Sequence, residues 1–260
     1  MSTGTGKVRN IADTMAGDQG SQRRPLPDEV REVADRLIST LGDNLAALLW
    51  HGSWARGEQT TESDHDLIIV LRQVNDNLIL AIQGVFADRS GWSTYIKSEQ
   101  ELRQYPVTGR VQFQFGMVPL YGEFEAPHLS PKGLAEDIRL LATNIHHECQ
   151  YLLVHGTRKI HIGLAADFLR VRNARWMYYQ AKLAVLALKA RELLLGRSYP
   201  ETRAELRGRL PDEDERAVVD AIDRWPELRD GLEGDVTPLV LRLDAGMRNL
   251  VAELESGEPG

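Results

Sequence analysis

The sequence predicts an α+β chain, in which a small mixed sheet with helices is followed by an all-helical bundle. Three observations predict it. Short apolar runs of strand length, bounded by Gly, Ser, Asn and Pro, fill residues 44–122. From Pro131 apolar residues recur at helical spacing almost to the end, with breaks at Gly156–Gly163, Gly196–Pro200, Pro211, Pro226 and Gly231–Pro238. Of the 260 residues, 42% are hydrophobic and 27% charged, the balance of an ordinary globular protein with one large core or two modest ones. The expected division is residues 1–26 as a mobile leader, 27–128 as the sheet-bearing domain and 129–260 as the helical domain.

Each element has a local reason. Residues 1–26 are rich in Gly, Ser, Thr, Asp and Arg and show no apolar period, so they lack the means to bury a face. "PDEVREVADRLISTL" places Val30, Val33, Leu37 and Leu41 on one helical face, with Pro27 at the entrance. "NLAALLWHGS" reads as a buried strand running into a Gly-Ser turn. "DLIIVL" is apolar on both faces and therefore belongs in the middle of a sheet. "NDNLILAIQGVFA" reads as a helix, "GWSTYIKS" as a third strand, and "SEQELRQYP" as a short helix stopped by Pro106. "RVQFQFGMVPLYG" holds one more strand or a buried extended segment. In the second half, the segment Leu164–Leu195 is apolar on most sides between Trp176 and Leu188, as a central bundle helix would be.

Composition narrows the function classes. No apolar run is long enough to span a membrane, and the first residues carry no secretory h-region. The one cysteine, Cys149, cannot form an internal disulfide, which fits a reducing cytoplasm. A net charge of −7 argues against a general nucleic-acid coat, although a local basic patch could still bind phosphates. Nucleic acid is therefore a possible partner and not the favoured one. The sequence leaves the oligomeric state open.

The stretch "HGSWARGEQTTESDHDLIIVL" carries the chemistry. On a strand, Asp64 and Asp66 project to one face and His65 to the other. Two carboxylates about 5 Å apart repel by roughly 3 kcal/mol at an effective dielectric near 20. Either one is protonated or a cation joins them. Mg²⁺ suits the pair, since it commonly combines one or two protein carboxylates with substrate phosphates. Ahead of them, Gly52 permits close backbone approach, Ser53 adds a hydroxyl, and Arg56 offers a phosphate contact. A Gly-Ser turn alone, or an Asp-x-Asp strand end alone, would be unremarkable surface structure.

In this order, between two buried strands, these residues resemble the DNA-polymerase-beta-like nucleotidyltransferase superfamily. The match falls on Gly52, Ser53, Ala55, Arg56, Gly57, Ser63, Asp64, Asp66 and Leu67. It covers residues 44–72 strongly and continues more weakly to about 122, as in the small, minimal-type members and the kanamycin nucleotidyltransferase-like ones. The resemblance implies transfer of a nucleoside monophosphate from a nucleoside triphosphate, with ATP the expected one, to an acceptor hydroxyl. It further implies that Gly52, Ser53, Arg56 and Ser63 bind the nucleotide, and that Asp64 and Asp66 hold Mg²⁺ and are catalytic.

The match departs from the family in one place. Active members add a third carboxylate from the neighbouring strand, and here Ser93 or Thr94 occupies that position. Asp88, Glu99, Glu123 and Glu125 are the remaining acidic residues nearby. Another side chain replaces the acid, the acceptor is activated differently, or the chain binds nucleotide without efficient transfer. An enzyme is the favoured reading.

The helical half loosely resembles the kanamycin-type and HEPN-like bundles that accompany such domains. Trp176, Tyr178 and Tyr179 would line an acceptor pocket or fill the bundle core. Arg172, Arg175, Lys182 and Lys189 fall roughly on one face, either solvated or reaching across to a triphosphate. His146, His147 and Cys149 lack the i, i+4 spacing of a helical metal pair and are expected to be structural or surface residues. The expected activity is nucleotidyl transfer to a small hydroxylated molecule such as an aminoglycoside-like compound. The alternatives are modification of tRNA or protein, and a catalytically impaired nucleotide-binding protein.

Overall fold

A computed structural model describes residues 25–61, 63–103, 111, 115–123, 130–155, 166–225 and 236–256, with side chains omitted at 155 and 166–174. The expected leader lies outside these residues except for its last two positions, as does Glu125.

The first half holds helix α1 (Asp28–Leu41), strand β1 (Leu45–His51), the short helix α2 (Gly52–Arg56), strand β2 (His65–Leu71), helix α3 (Asp76–Phe86), strand β3 (Trp92–Ser98), the short helix α4 (Glu99–Arg103) and strand β4 (Val118–Gly122). The strands form one sheet in the order β3-β2-β1-β4. β2 runs parallel to β3 and antiparallel to β1, and β1 runs antiparallel to β4, so the sheet is mixed. β2 lies inside the sheet, as its two apolar faces require.

Strand alternation divides the core. Leu48 and Trp50 of β1 and Leu67, Ile69 and Leu71 of β2 face α1 and α3, where Val30, Val33, Leu37, Leu41, Ile82 and Val85 bury against them. Ala47 and Leu49, with Ile68 and Val70, face the other way and meet Leu102 of α4. The α3 N-terminus is capped by Asn75, whose side chain accepts from the Leu78 amide at 3.1 Å.

The helical half consists of α5 (Pro131–His155), α6 (Ala166–Leu194), α7 (Arg203–Arg209), α8 (Glu213–Asp223) and α9 (Thr237–Ser256). Leu134, Ile138, Ala142, Ile145 and Cys149 make a single buried stripe on α5, three or four residues apart. It packs with Met177, Ala184 and Leu188 of α6 and Val240, Leu243 and Met247 of α9. Pro238, read from sequence as part of a break, instead sits in the first turn of α9, where a missing N–H costs nothing. Val111 and Phe115 also join this core, and Phe115 stacks on Tyr199 with ring centroids 4.4 Å apart. Among the described residues no helix is long and apolar enough to cross a membrane.

Cys149 and His146 are structural, whereas His147 is exposed on the surface. His146 Nδ1 lies 2.6 Å from Asp244 Oδ1, tying α5 to α9. Cys149 is fully buried, and burial, with Asp244 and Glu148 nearby, pushes its thiol up to about 12. Native protein at pH 8 should therefore resist thiol reagents, and one equivalent of thiol should appear on denaturation. Ready labelling of the folded chain, followed by mass spectrometry, would contradict this burial.

Candidate functional site

The site forms where β1 turns into α2 and where β2 begins. β1 is buried from Leu45 to Trp50, so its half-buried end at His51 holds the Gly52 turn in a fixed place. His51 pairs with Asp66 in the antiparallel register, which brings the turn and the acid side by side. β2 starts at His65, so Asp64 precedes the strand by one residue; the sequence reading had both acids on it.

The closeness of turn and acid is steric as well as topological. Gly52 has φ +84°, and a Cβ there would lie 1.9 Å from Asp66 Oδ2. Glycine is needed both for the backbone angle and for the space. Gly52→Ala should therefore displace the Asp66 carboxylate and lower stability by about 1 kcal/mol or more. Thermal denaturation checks this, and an unchanged midpoint would contradict the contact.

Electrostatics follow from the same geometry. Burial, and then repulsion from Asp64, push the Asp66 carboxyl up to about 6, against the pull of Lys182 and Arg56. Burial, with the charges of Arg56 and Lys182, holds His51 down at about 4, so its ring is neutral at pH 7. Lys182 belongs to α6, so a cation of the helical half acts on both Asp66 and His51. Lys189, one face-repeat further on, is buried instead of solvated: its Nζ donates to the Glu201 carbonyl at 2.8 Å and lies 3.7 Å from Glu58 Oε2. Arg175 is exposed, and the Arg172 side chain lies outside those described.

His65 projects to the opposite face, as alternation requires. Its ring lies between Trp54 and Trp92, with centroids at 4.5 and 4.8 Å, and Nε2 meets Glu29 Oε1 at 2.9 Å. This packing holds the base of β2 on the face away from Asp66. The Ser63 hydroxyl closes the turn before them, accepting from the Thr60 amide at 2.9 Å. Ser53 accepts from the Glu58 amide through its carbonyl at 2.7 Å, which shapes the loop after α2.

The neighbouring strand supplies no acid. Ser93 lies directly opposite Asp66 in the parallel register, with Thr94 next to it. Asp88 and Glu123 are exposed, and Glu99 lies beyond the far end of β3, 4.0 Å from Arg72. Among the described residues no group of three or more His, Cys, Asp or Glu is arranged to hold a metal. Trp176 and Tyr178 pack against the helical core, Tyr178 stacking on Trp225 at 4.6 Å, whereas Tyr179 is exposed.

Sequence reasoning did not single out His51 or Glu58. The signal for His51 was available, since it precedes the turn on a strand antiparallel to that of Asp66. Nothing in the local pattern marked Glu58.

No family model and no curated protein matches this chain. Among solved structures it is similar to spectinomycin adenyltransferase AAD(9) from Enterococcus faecialis, determined with ATP and spectinomycin. The identity is 12% and the TM-score 0.47, over 88% of this chain and 98% of that one. A likeness at this level bears on neither substrate nor residue roles.

Proposed function

We propose that the chain is a Mg²⁺-dependent nucleotidyltransferase that moves a nucleoside monophosphate from a triphosphate, ATP first among them, to a hydroxyl of a small acceptor. The observation that carries this reading is the contact of Asp66 with the Gly52 turn, with Asp64 beside it. The donor set fits a hard divalent ion: one carboxylate is destabilised by burial and by its neighbour, and both penalties fall when a cation sits between them. Asp64 and Asp66 would hold the ion. When bound it neutralises phosphate charge and lowers the pKa of the acceptor hydroxyl.

The chain's own residues do the rest. The Gly52 backbone, which lies against Asp66, and Ser53 would receive the phosphates, and Arg56 and Lys182 would add positive charge from both halves. Ser63 keeps the preceding turn closed. The acceptor oxygen forms a bond to the α-phosphorus as the bond to the β-phosphate oxygen breaks, and pyrophosphate leaves. The helical half would supply the acceptor pocket, and the net charge of −7 suits a cationic compound of the aminoglycoside type.

A second reading, nucleotide binding without efficient transfer, is favoured by Ser93 opposite Asp66. Labelled nucleoside triphosphates with Mg²⁺ and panels of small hydroxylated compounds, tRNA and protein separate the cases. A labelled small product with pyrophosphate supports transfer to a small molecule, and labelled RNA or protein moves the acceptor to that class. Tight nucleotide binding with no product from any panel sinks the enzyme reading.

A further inference from the structure

A second charge cluster lies where the two halves meet, around Glu58. This residue follows α2, and its side chain is 6% exposed. Arg56 Nε donates to Glu58 Oε2 at 2.9 Å, while Lys189 Nζ and Arg203 Nη1 each lie 3.7 Å from the same oxygen. The Arg203 amide donates to Glu58 Oε1, and Arg203 Nη2 donates to the Glu58 carbonyl at 2.9 Å. Arg203 is also bound by Asp223 at 2.6 Å. One carboxylate of the first half thus gathers an arginine of its own half and two cations of the helical half.

The cluster constrains Arg56 closely. Its stem lies against Gly116, where a Cβ would come within 2.8 Å of Arg56 Cδ. Its Nε is held by Glu58, and its charge is felt at both Asp66 and His51. Burial opposes the Glu58 charge, but Lys189, Arg203 and Arg56 outweigh it and hold the carboxyl below its ordinary range. Burial brings Lys189 down to about 8, with Glu58 pulling it up and Arg56 and Arg203 pushing it down. The two shifts favour opposite forms of the pair; three cations converging on one carboxylate settle it as charged.

We propose that Glu58 is a positioning residue: its buried carboxylate fixes the Arg56 guanidinium beside the Asp64–Asp66 pocket and locks it to Lys189 and Arg203 of the helical half. The value of that placement to turnover rests on the function proposed above; the tie itself does not. Positioning and mere charge balance differ in sign. If Glu58 only offset positive charge, removing its charge would make a polyanion bind more tightly. If it positions Arg56, losing the contact weakens binding even where the charge is kept.

Inorganic tripolyphosphate is the probe, titrated by calorimetry into wild type, Glu58→Gln, Glu58→Asp, Arg56→Ala and the Glu58→Gln/Arg56→Ala double variant. Circular dichroism and thermal midpoints establish folding, and Glu58→Asp carries the test should Glu58→Gln not fold. Both single Glu58 variants should weaken tripolyphosphate binding about tenfold, the scale of one lost charge-assisted contact. In the Arg56→Ala background Glu58→Gln should add nothing. In pyrophosphate release, kcat should fall about 10–100-fold, more than KM rises, as misplacement predicts. Tighter or unchanged binding in Glu58→Gln, wild-type behaviour in Glu58→Asp, additive losses in the double variant, or no tripolyphosphate binding by wild type would each overturn the proposal. Coupling of Glu58 to Arg56 in a wild type that turns over no nucleotide would leave the positioning role standing and remove the enzyme reading.

Discussion

Replacing Asp66 with asparagine should abolish nucleotidyl transfer and, in metal-free protein, raise stability. The loss should reach about 10³-fold or more, since even outer-shell partners of metal ligands cost ~10–100-fold. Asp64→Asn should lose activity on the same scale. The gain in stability follows from linkage. Asp66 titrates at about 6 when folded against 3.8 ordinarily, so between those values the folded state binds more protons than the unfolded one. Stability contributed by this group therefore falls as pH rises from about 4 to about 6, and the full penalty, roughly 2–3 kcal/mol, persists above that. Asp66→Asn removes the penalty. Its thermal midpoint in chelator should exceed that of wild type by about 5 °C at pH 7, and the gap should close below pH 4. A variant no more stable than wild type at pH 7 would mean that the carboxylate is solvated and not strained by its neighbour.

The second large effect concerns the helical half. Arg191 and Glu215 form a bidentate pair at 2.7 and 2.9 Å, joining α6 to α8, and both side chains are under 10% exposed. Glu253 of α9 adds a third contact to Arg191 at 3.2 Å. Glu215→Ala would leave a buried guanidinium without its bidentate partner, at a cost of about 3–5 kcal/mol. A fall in thermal midpoint of about 10 °C is expected. The double change Arg191→Met/Glu215→Leu should recover most of that loss, because apolar packing replaces an ion pair whose desolvation offsets its attraction. Denaturant titration of wild type and the two variants distinguishes this from a simple packing defect. If the double variant were as unstable as Glu215→Ala, cavity formation and not the stranded charge would be the cause.

Much of this architecture was legible before any coordinates. Short apolar runs of strand length, "LAALLWH" and "DLIIVL", foretold buried strands, and the two apolar faces of the second foretold its interior place. The spacing of Val30, Val33, Leu37 and Leu41 foretold the buried face of α1. The Gly-Ser turn and the two aspartates were readable as one site because the chain between them is short and both flanking strands are apolar. The Glu58 cluster was not readable, since its partners Lys189 and Arg203 lie more than 130 residues away in helices whose surface pattern looks merely basic. Lys182 and Lys189 looked equivalent for the same reason, seven residues apart on one face, yet one is exposed and the other buried.

Local pattern alone thus determined the α+β class, the order of the elements and the paired carboxylates after a glycine turn, because periodicity and turn chemistry act within a few residues. Tertiary structure decided the rest. It set the register that puts His51 and Ser93 on either side of Asp66, the depth that raises one carboxyl, and the distant cations that gather at Glu58. Burial and charge depend on neighbours brought together from remote parts of the chain, and no local run of residues encodes them.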